Sequence, residues 1–105
     1  QTVIVNWTVP ALGDLDGIFE FIARDAPAYA QVFVQQIMDA ADRLEVFPHS
    51  GRAVPEAGDE NVREVIFQGY RIVYWIVDEQ RLDITAVIHG SRDLGNPSIQ
   101  PWEVH

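Results

Sequence analysis

Two hydrophobic periods divide the chain. Between Thr8 and Leu44 apolar residues recur every three or four positions; between Val62 and His89 they alternate or cluster in short β-branched and aromatic blocks. The first pattern predicts helices and the second predicts strands. Thr8 and Pro10 make a helix start, followed by a stripe of Leu12, Leu15, Phe19 and Ile22. Asp25 is expected to cap a second helix that opens at Pro27, carries Ala30, Phe33, Val34, Ile37, Ala41 and Leu44, and stops before Pro48. Both stripes read as core rather than as cofactor contacts. Val3–Trp7 is β-rich and reads as a first strand.

Three further strands are expected at Val62–Phe67, Tyr70–Val77 and Leu82–His89, separated by the turn Gln68-Gly69 and by Asp78–Arg81. The order is β-α-α-β-β-β. This is an α+β domain, with a helical hairpin packed on one face of a small, mostly antiparallel sheet. Side-chain parity assigns the faces. Tyr70, Ile72, Tyr74 and Ile76 point one way, and Leu82, Ile84, Ala86 and Ile88 form an apolar row that should meet them. That match requires an odd loop, and a three-residue loop, Glu79–Arg81, sets Arg71 across from His89. A two-residue turn at Gln68-Gly69 places Phe67 beside Tyr70, with Arg63 and Val65 on the covered face and Val62 and Glu64 beside Arg71 on the other. A bulge at the turn would reverse that last assignment.

Pro48–Asn61 has no periodicity and reads as a loop, long enough to suggest a functional or partner-ordered segment. Residues 1–94 form one domain and 95–105 a tail. Trp102 in the tail belongs either to a docked extension or to a disordered end that meets a partner. At 105 residues the chain can bury one two-layer core. No apolar run reaches 18 residues, no signal-peptide pattern opens the chain, and the missing initial Met is expected of a trimmed sequence. The absence of cysteine excludes disulfides and thiolate metal sites and fits a reducing cytoplasm.

Charge narrows the function further. Sixteen acids oppose seven bases for a net −9, and every base is Arg. Such a chain repels phosphate backbones, which weighs against a nucleic-acid substrate. Residues 52–92 nevertheless hold five of the seven arginines, so a local basic patch remains open. No His, Asp and Glu cluster has metal-ligand spacing, no Gly-rich phosphate loop occurs, and Ser50, Ser91 and Ser98 sit in no nucleophile motif. Neither a cofactor nor covalent serine chemistry is expected.

A tryptophan closing the first strand, a helical hairpin, Gly51-Arg52, VRE at 62–64, YRIVYW at 70–75 and HGSRD at 89–93 together resemble the RelE/ParE superfamily, the toxins of bacterial type II toxin–antitoxin modules. The resemblance covers roughly residues 3–94. It implies a ParE-like toxin that binds DNA gyrase and is neutralised by a ParD-like antitoxin in a hetero-oligomer. The other branch it implies is a RelE-like, ribosome-dependent mRNA endoribonuclease. In that branch Arg71, His89 and Arg92 would be the catalytic, phosphate-handling set. Where RelE-like enzymes carry lysines this chain has Val62 and Glu64, and no tyrosine follows Tyr74 to stack on RNA unless Trp102 substitutes. These departures favour the ParE-like branch. A third reading is an inert member that pairs with its antitoxin and poisons nothing.

Each candidate residue also has a structural reading. Arg71 is either an anion- or partner-binding guanidinium or one half of a cross-strand pair with Glu64. His89 is either a proton-transfer group or a strand-end residue bonded to backbone, and Arg92 either handles phosphate or pairs with Asp93 or the tail. Arg52 is a partner contact or a loop anchor to a helix carboxylate, and Arg63 ties its strand to the helix ends. His49 and His105 read as solvated. Val73 and Trp75, with the outer flank of the hairpin, are candidate walls of an apolar groove for the antitoxin.

Overall fold

The computed structural model describes residues 2–90. In chain order the elements are β1 (Ile4–Trp7), α1 (Val9–Ala23), α2 (Pro27–Asp42), a 3-10 turn at Arg43–Glu45, β2 (Arg52–Ala53), a 3-10 turn at Pro55–Ala57, β3 (Val62–Phe67), β4 (Tyr70–Ile76) and β5 (Arg81–His89). The sheet order is β1-β5-β4-β3-β2, with β1 parallel to β5 and the other pairs antiparallel. The two helices lie on one face, as the apolar stripes require. The expected α+β architecture holds, with β2 as an additional edge strand inside the stretch expected to be loop.

Local chemistry explains the helix ends. Thr8 caps α1: its Oγ1 accepts from Ala11 N at 3.4 Å and donates to Ile84 O at 2.7 Å, tying the helix start to β5. Pro27 opens α2, but the cap is Ala26, which makes no side-chain bond, rather than Asp25. Ala30, Phe33, Ile37 and Ala41 are buried as expected, and Leu44 is buried in the 3-10 turn beyond the helix. On α1 the buried stripe is Ala11, Leu15 and Ile18, with Ile22 packed beside it, and Leu12 and Phe19 are partly exposed. This rotation brings Asp14 to β5, where its Oδ2 accepts from Val87 N at 2.9 Å.

The core between helices and sheet joins these residues to Ile72, Tyr74, Ile76, Leu82, Ile84 and Val87. Phe33 stacks in tilted or edge contacts with Tyr29, Phe67 and Tyr70. Phe67 faces Tyr70 across the turn at Gln68 and Gly69, whose φ values of 49° and 84° are those of a tight hairpin. Ile76 pairs with Leu82 and Tyr74 with Ile84, so the odd-loop parity holds at that end. The three-residue loop, however, is Asp78–Gln80 rather than Glu79–Arg81, which would have set Ile76 beside Ile84. Past Tyr74 the register shifts by one residue. The extra residue is Thr85, whose hydroxyl donates to Val73 O at 3.2 Å. Val87 consequently turns to the helices, while Ala86 and Ile88 turn to the opposite face. The unbroken row Leu82–Ile84–Ala86–Ile88 is therefore a correction: the bulge splits it between two cores.

Candidate functional site

The second face of the sheet carries most of the residues singled out from the sequence, and its centre is an acid. Glu64 on β3 has a fully buried side chain flanked by two arginines. On one side Arg71 Nε of β4 donates to Glu64 Oε1. On the other, Arg52 Nε of β2 donates to Glu64 Oε2 at 2.6 Å. The positions follow from register: Arg52 is the direct cross-strand partner of Glu64, and Arg71 pairs with Ile66, two residues along β3. Glu56, from the 3-10 turn, lies 3.8 Å from Arg71 Nη2. The guanidinium of Arg71 is thus buried between two carboxylates, whereas the Arg52 side chain is 67% exposed.

An apolar patch continues from this network. Val54, Val62, Val73, Ala86 and Ile88 are buried together, with Ala57 and Trp75 packed against them. Val54 and Ala57 belong to the 52–57 strap, so the stretch expected to be a partner-ordered loop instead covers this face. Its entry is pinned by Tyr74, whose Oη donates to Pro48 O at 2.7 Å and accepts from Gly51 N at 3.1 Å. Arg63 Nη1 donates to Gly51 O at 2.8 Å. Arg63 therefore ties β3 to the loop rather than to the helix ends. Burial pushes the Tyr74 phenol above its ordinary pKa, opposed by the Gly51 bond and the charge of Arg63.

The Arg71–His89 pairing expected from parity is not formed. The Asp78–Gln80 loop shifts the register from the expected one, and the bulge at Thr85 then flips the faces, so Arg71 lies opposite Ile88 and His89 opposite Tyr70. His89 packs edge-on to the Tyr70 ring, with centroids 5.5 Å apart, and lines a groove on the helix side with Gly13, Gly17 and Phe21. Arg71 and His89 are thus on opposite faces. Val73 is 0% exposed and has no surface to offer a partner, which corrects the groove expected along Val73–Trp75. Trp75 remains half-buried and Arg52 accessible. Arg92, with the tail and Trp102, lies outside the described residues.

Sequence reasoning named Glu64 as a departure from a lysine pattern and as the cross-strand partner of Arg71, a pair that is formed, but missed its second arginine and its place as the hub. Its position in an alternating strand, flanked by apolar Val62 and Ile66, was the signal. Among the described residues no group of acidic or histidine side chains could hold a metal, and no helix is long and apolar enough to cross a membrane.

A helical hairpin on one face of this mixed sheet, with an arginine–glutamate network on the other, is the frame of a small α+β domain. The model of the ParE toxin of the type II toxin–antitoxin system, parDE, matches residues 5–94, and the chain belongs to that family. It is 28% identical over 88 residues to "Toxin RelE2" of Caulobacter vibrioides, covering 84% of this chain and 96% of that protein. Among solved structures, the fold matches a chain of "Chromosomal ParDE TA system from P. aeruginosa". The TM-score is 0.71 at 21% identity, over 84% of this chain and 96% of that one. The chain is a type II toxin of the ParE/RelE class, whose partner is an antitoxin.

Proposed function

We propose that this toxin acts by binding, with DNA gyrase as its target, and that a ParD-like antitoxin neutralises it in a hetero-oligomer in the cytoplasm. The observation that carries this reading is the state of Arg71. A guanidinium that handles phosphate must be able to reach it, and this one is buried against Glu64 with Glu56 beside it. His89, the candidate proton-transfer group of the ribonuclease branch, stands on the far side of the sheet, so the two supply no joint site for in-line attack on RNA. The net charge of −9 favours the same conclusion.

Binding needs surface instead, and the hairpin supplies it. Phe21, Tyr29 and Val32 are exposed apolar side chains on the helices and suit the apolar face of an antitoxin helix. Of the described second-face residues singled out from the sequence, Arg52 and Trp75 can still touch a partner.

The test is pulse-labelling of DNA and protein synthesis after induction of the toxin alone, followed by supercoiling assays with purified gyrase. DNA synthesis stopping first, with gyrase inhibited in vitro, is the expected result. Protein synthesis collapsing first, with mRNA cut within codons, would establish the ribonuclease instead. No effect on either would mark an inert member or another target.

A further inference from the structure

At the end of the sheet remote from His89, the β4–β5 hairpin leaves a cup that the toxin reading does not use. Val3, Ile76 and Leu82 form its apolar floor, and Pro48 and His49 one wall. Its volume is about 190 Å³. Small-molecule sites run to roughly 300–1,000 Å³. A dry cavity of about 150 Å³ already accepts benzene. The cup by itself therefore has room for one bulky side chain. A shallower depression lined by Asn61 and Val77 continues from it, sharing His49, Asp78 and Glu79, and gives room for the residues flanking an anchor. Phe47, the residue before Pro48, is 64% exposed, and Val46 beside it is also exposed, so the apolar surface extends past the lip.

The rim is acidic. Asp78 and Glu79 stand over the cup, and Glu45, whose carbonyl accepts from Val3 N at 2.9 Å, adds a third acid to this end of the fold. Asp78 Oδ1 accepts from Gln80 N and Arg81 N, which fixes the hairpin loop. Arg81 also lines the cup, and its Nε is paired to Asp83 at 3.2 Å, so the acids Asp78 and Glu79 outnumber the one lining arginine.

We infer that this cup is a docking site for a basic protein segment, in which one bulky apolar side chain fills the cup and flanking Lys or Arg side chains meet Asp78 and Glu79. An apolar anchor in a pocket with a complementary charged rim is the usual anatomy of a strong contact point. The site shares no residue with the ion network around Glu64 and stands or falls independently of the gyrase reading.

The experiment is a titration of the ¹⁵N-labelled full chain with an acetylated, amidated Arg-Trp-Arg peptide, followed by amide shifts. Shifts should cluster at Val3, His49, Ile76 and Asp78 to Leu82. Replacing the peptide's Trp by Ala should weaken binding about tenfold or more, the effect of withdrawing one buried aromatic side chain. Glu79→Lys, at an exposed position, should weaken the basic peptide but not a Glu-Trp-Glu peptide. Shifts elsewhere, or none, would overturn the proposal. So would equal binding of the Ala peptide, which would reduce the contact to surface charge. Shifts of the same residues with protein concentration alone would assign the cup to a second copy of the chain.

Discussion

On the helix side of the sheet, Ile72, Tyr74, Leu82 and Ile84 close against Phe33, Ile37 and Leu15, and the core is almost wholly apolar. On the other side, five small apolar residues share the space with a buried carboxylate and a buried guanidinium. The first arrangement is non-directional, and its strength follows the area removed from water. The second depends on matching: a charge buried on that face is tolerated only while its counter-charge remains in place. One face should therefore lose stability gradually as methyl groups are removed. The other should fail when one member of a pair is lost.

Glu64→Ala is the most severe test, because it strands the Arg71 guanidinium. It should lower unfolding free energy by about 3–5 kcal/mol, measured by urea denaturation. Ile37→Ala on the helix side should cost about 2–5 kcal/mol by leaving a cavity. The double change Glu64→Met with Arg71→Met sharpens the contrast. It removes both charges while keeping volume, and it should restore stability to within about 1 kcal/mol of the parent or better. A double variant as unstable as Glu64→Ala would show that the face is held by packing that methionine cannot reproduce.

How much of this was legible in the sequence depends on where the pattern carried information. The α2 stripe and the shared face of Ile76, Leu82 and Ile84 were readable because polar residues flank the apolar ones and fix the phase, although the register differs from the expected one by two residues. Parity failed beyond Tyr74 because Ala86, Val87 and Ile88 are apolar at every position. A one-residue bulge there exposes no polar group to the core, so the flip leaves no trace in the alternation, and Arg71 and His89 part company unseen. The α1 stripe was misphased by the same ambiguity, since Ala11 and Ile18 bury as readily as Leu12 and Phe19. The Arg71–Glu64 pair was legible from cross-strand geometry. Its second arginine was not, because a two-residue strand has no period to detect.

Gly51 and Tyr74 join the two faces, since the phenol rises from the helix side to hold the strap that covers the other. A Cβ at Gly51 would lie 2.6 Å from both Glu64 O and Tyr74 Oη. Gly51→Ala must therefore shift backbone, and it should cost about 1–3 kcal/mol in thermal or chemical unfolding. Tyr74→Phe leaves Pro48 O and Gly51 N without their partner and should cost about 1–3 kcal/mol. It should also change the pH profile. The folded phenol has a raised pKa, so its stabilising effect is complete below the unfolded value of about 10. As pH rises beyond that, the unfolded chain releases the proton first, and stability falls until the folded group titrates as well. The Phe variant should lack this alkaline loss.

The smallest expected effect separates the two arginines that share Glu64. Arg52 is largely solvated, so its pair is screened, and Arg52→Ala should cost no more than about 1 kcal/mol. Arg71→Ala, by contrast, removes the buried partner and leaves Glu64 to the exposed arginine alone. A double-mutant cycle should therefore give a larger coupling for Arg71–Glu64 than for Arg52–Glu64. Salt makes the distinction independent of side-chain size. At 1 M salt the screening length is about 3 Å, so the Arg52 coupling should shrink while the Arg71 coupling persists. Equal couplings with equal salt sensitivity would mean that water reaches both oxygens of Glu64, and the second face would then be a solvated ion cluster rather than a core. A persistent Arg71 coupling alone would leave Arg52 free to exchange Glu64 for a partner's carboxylate at little cost to the fold.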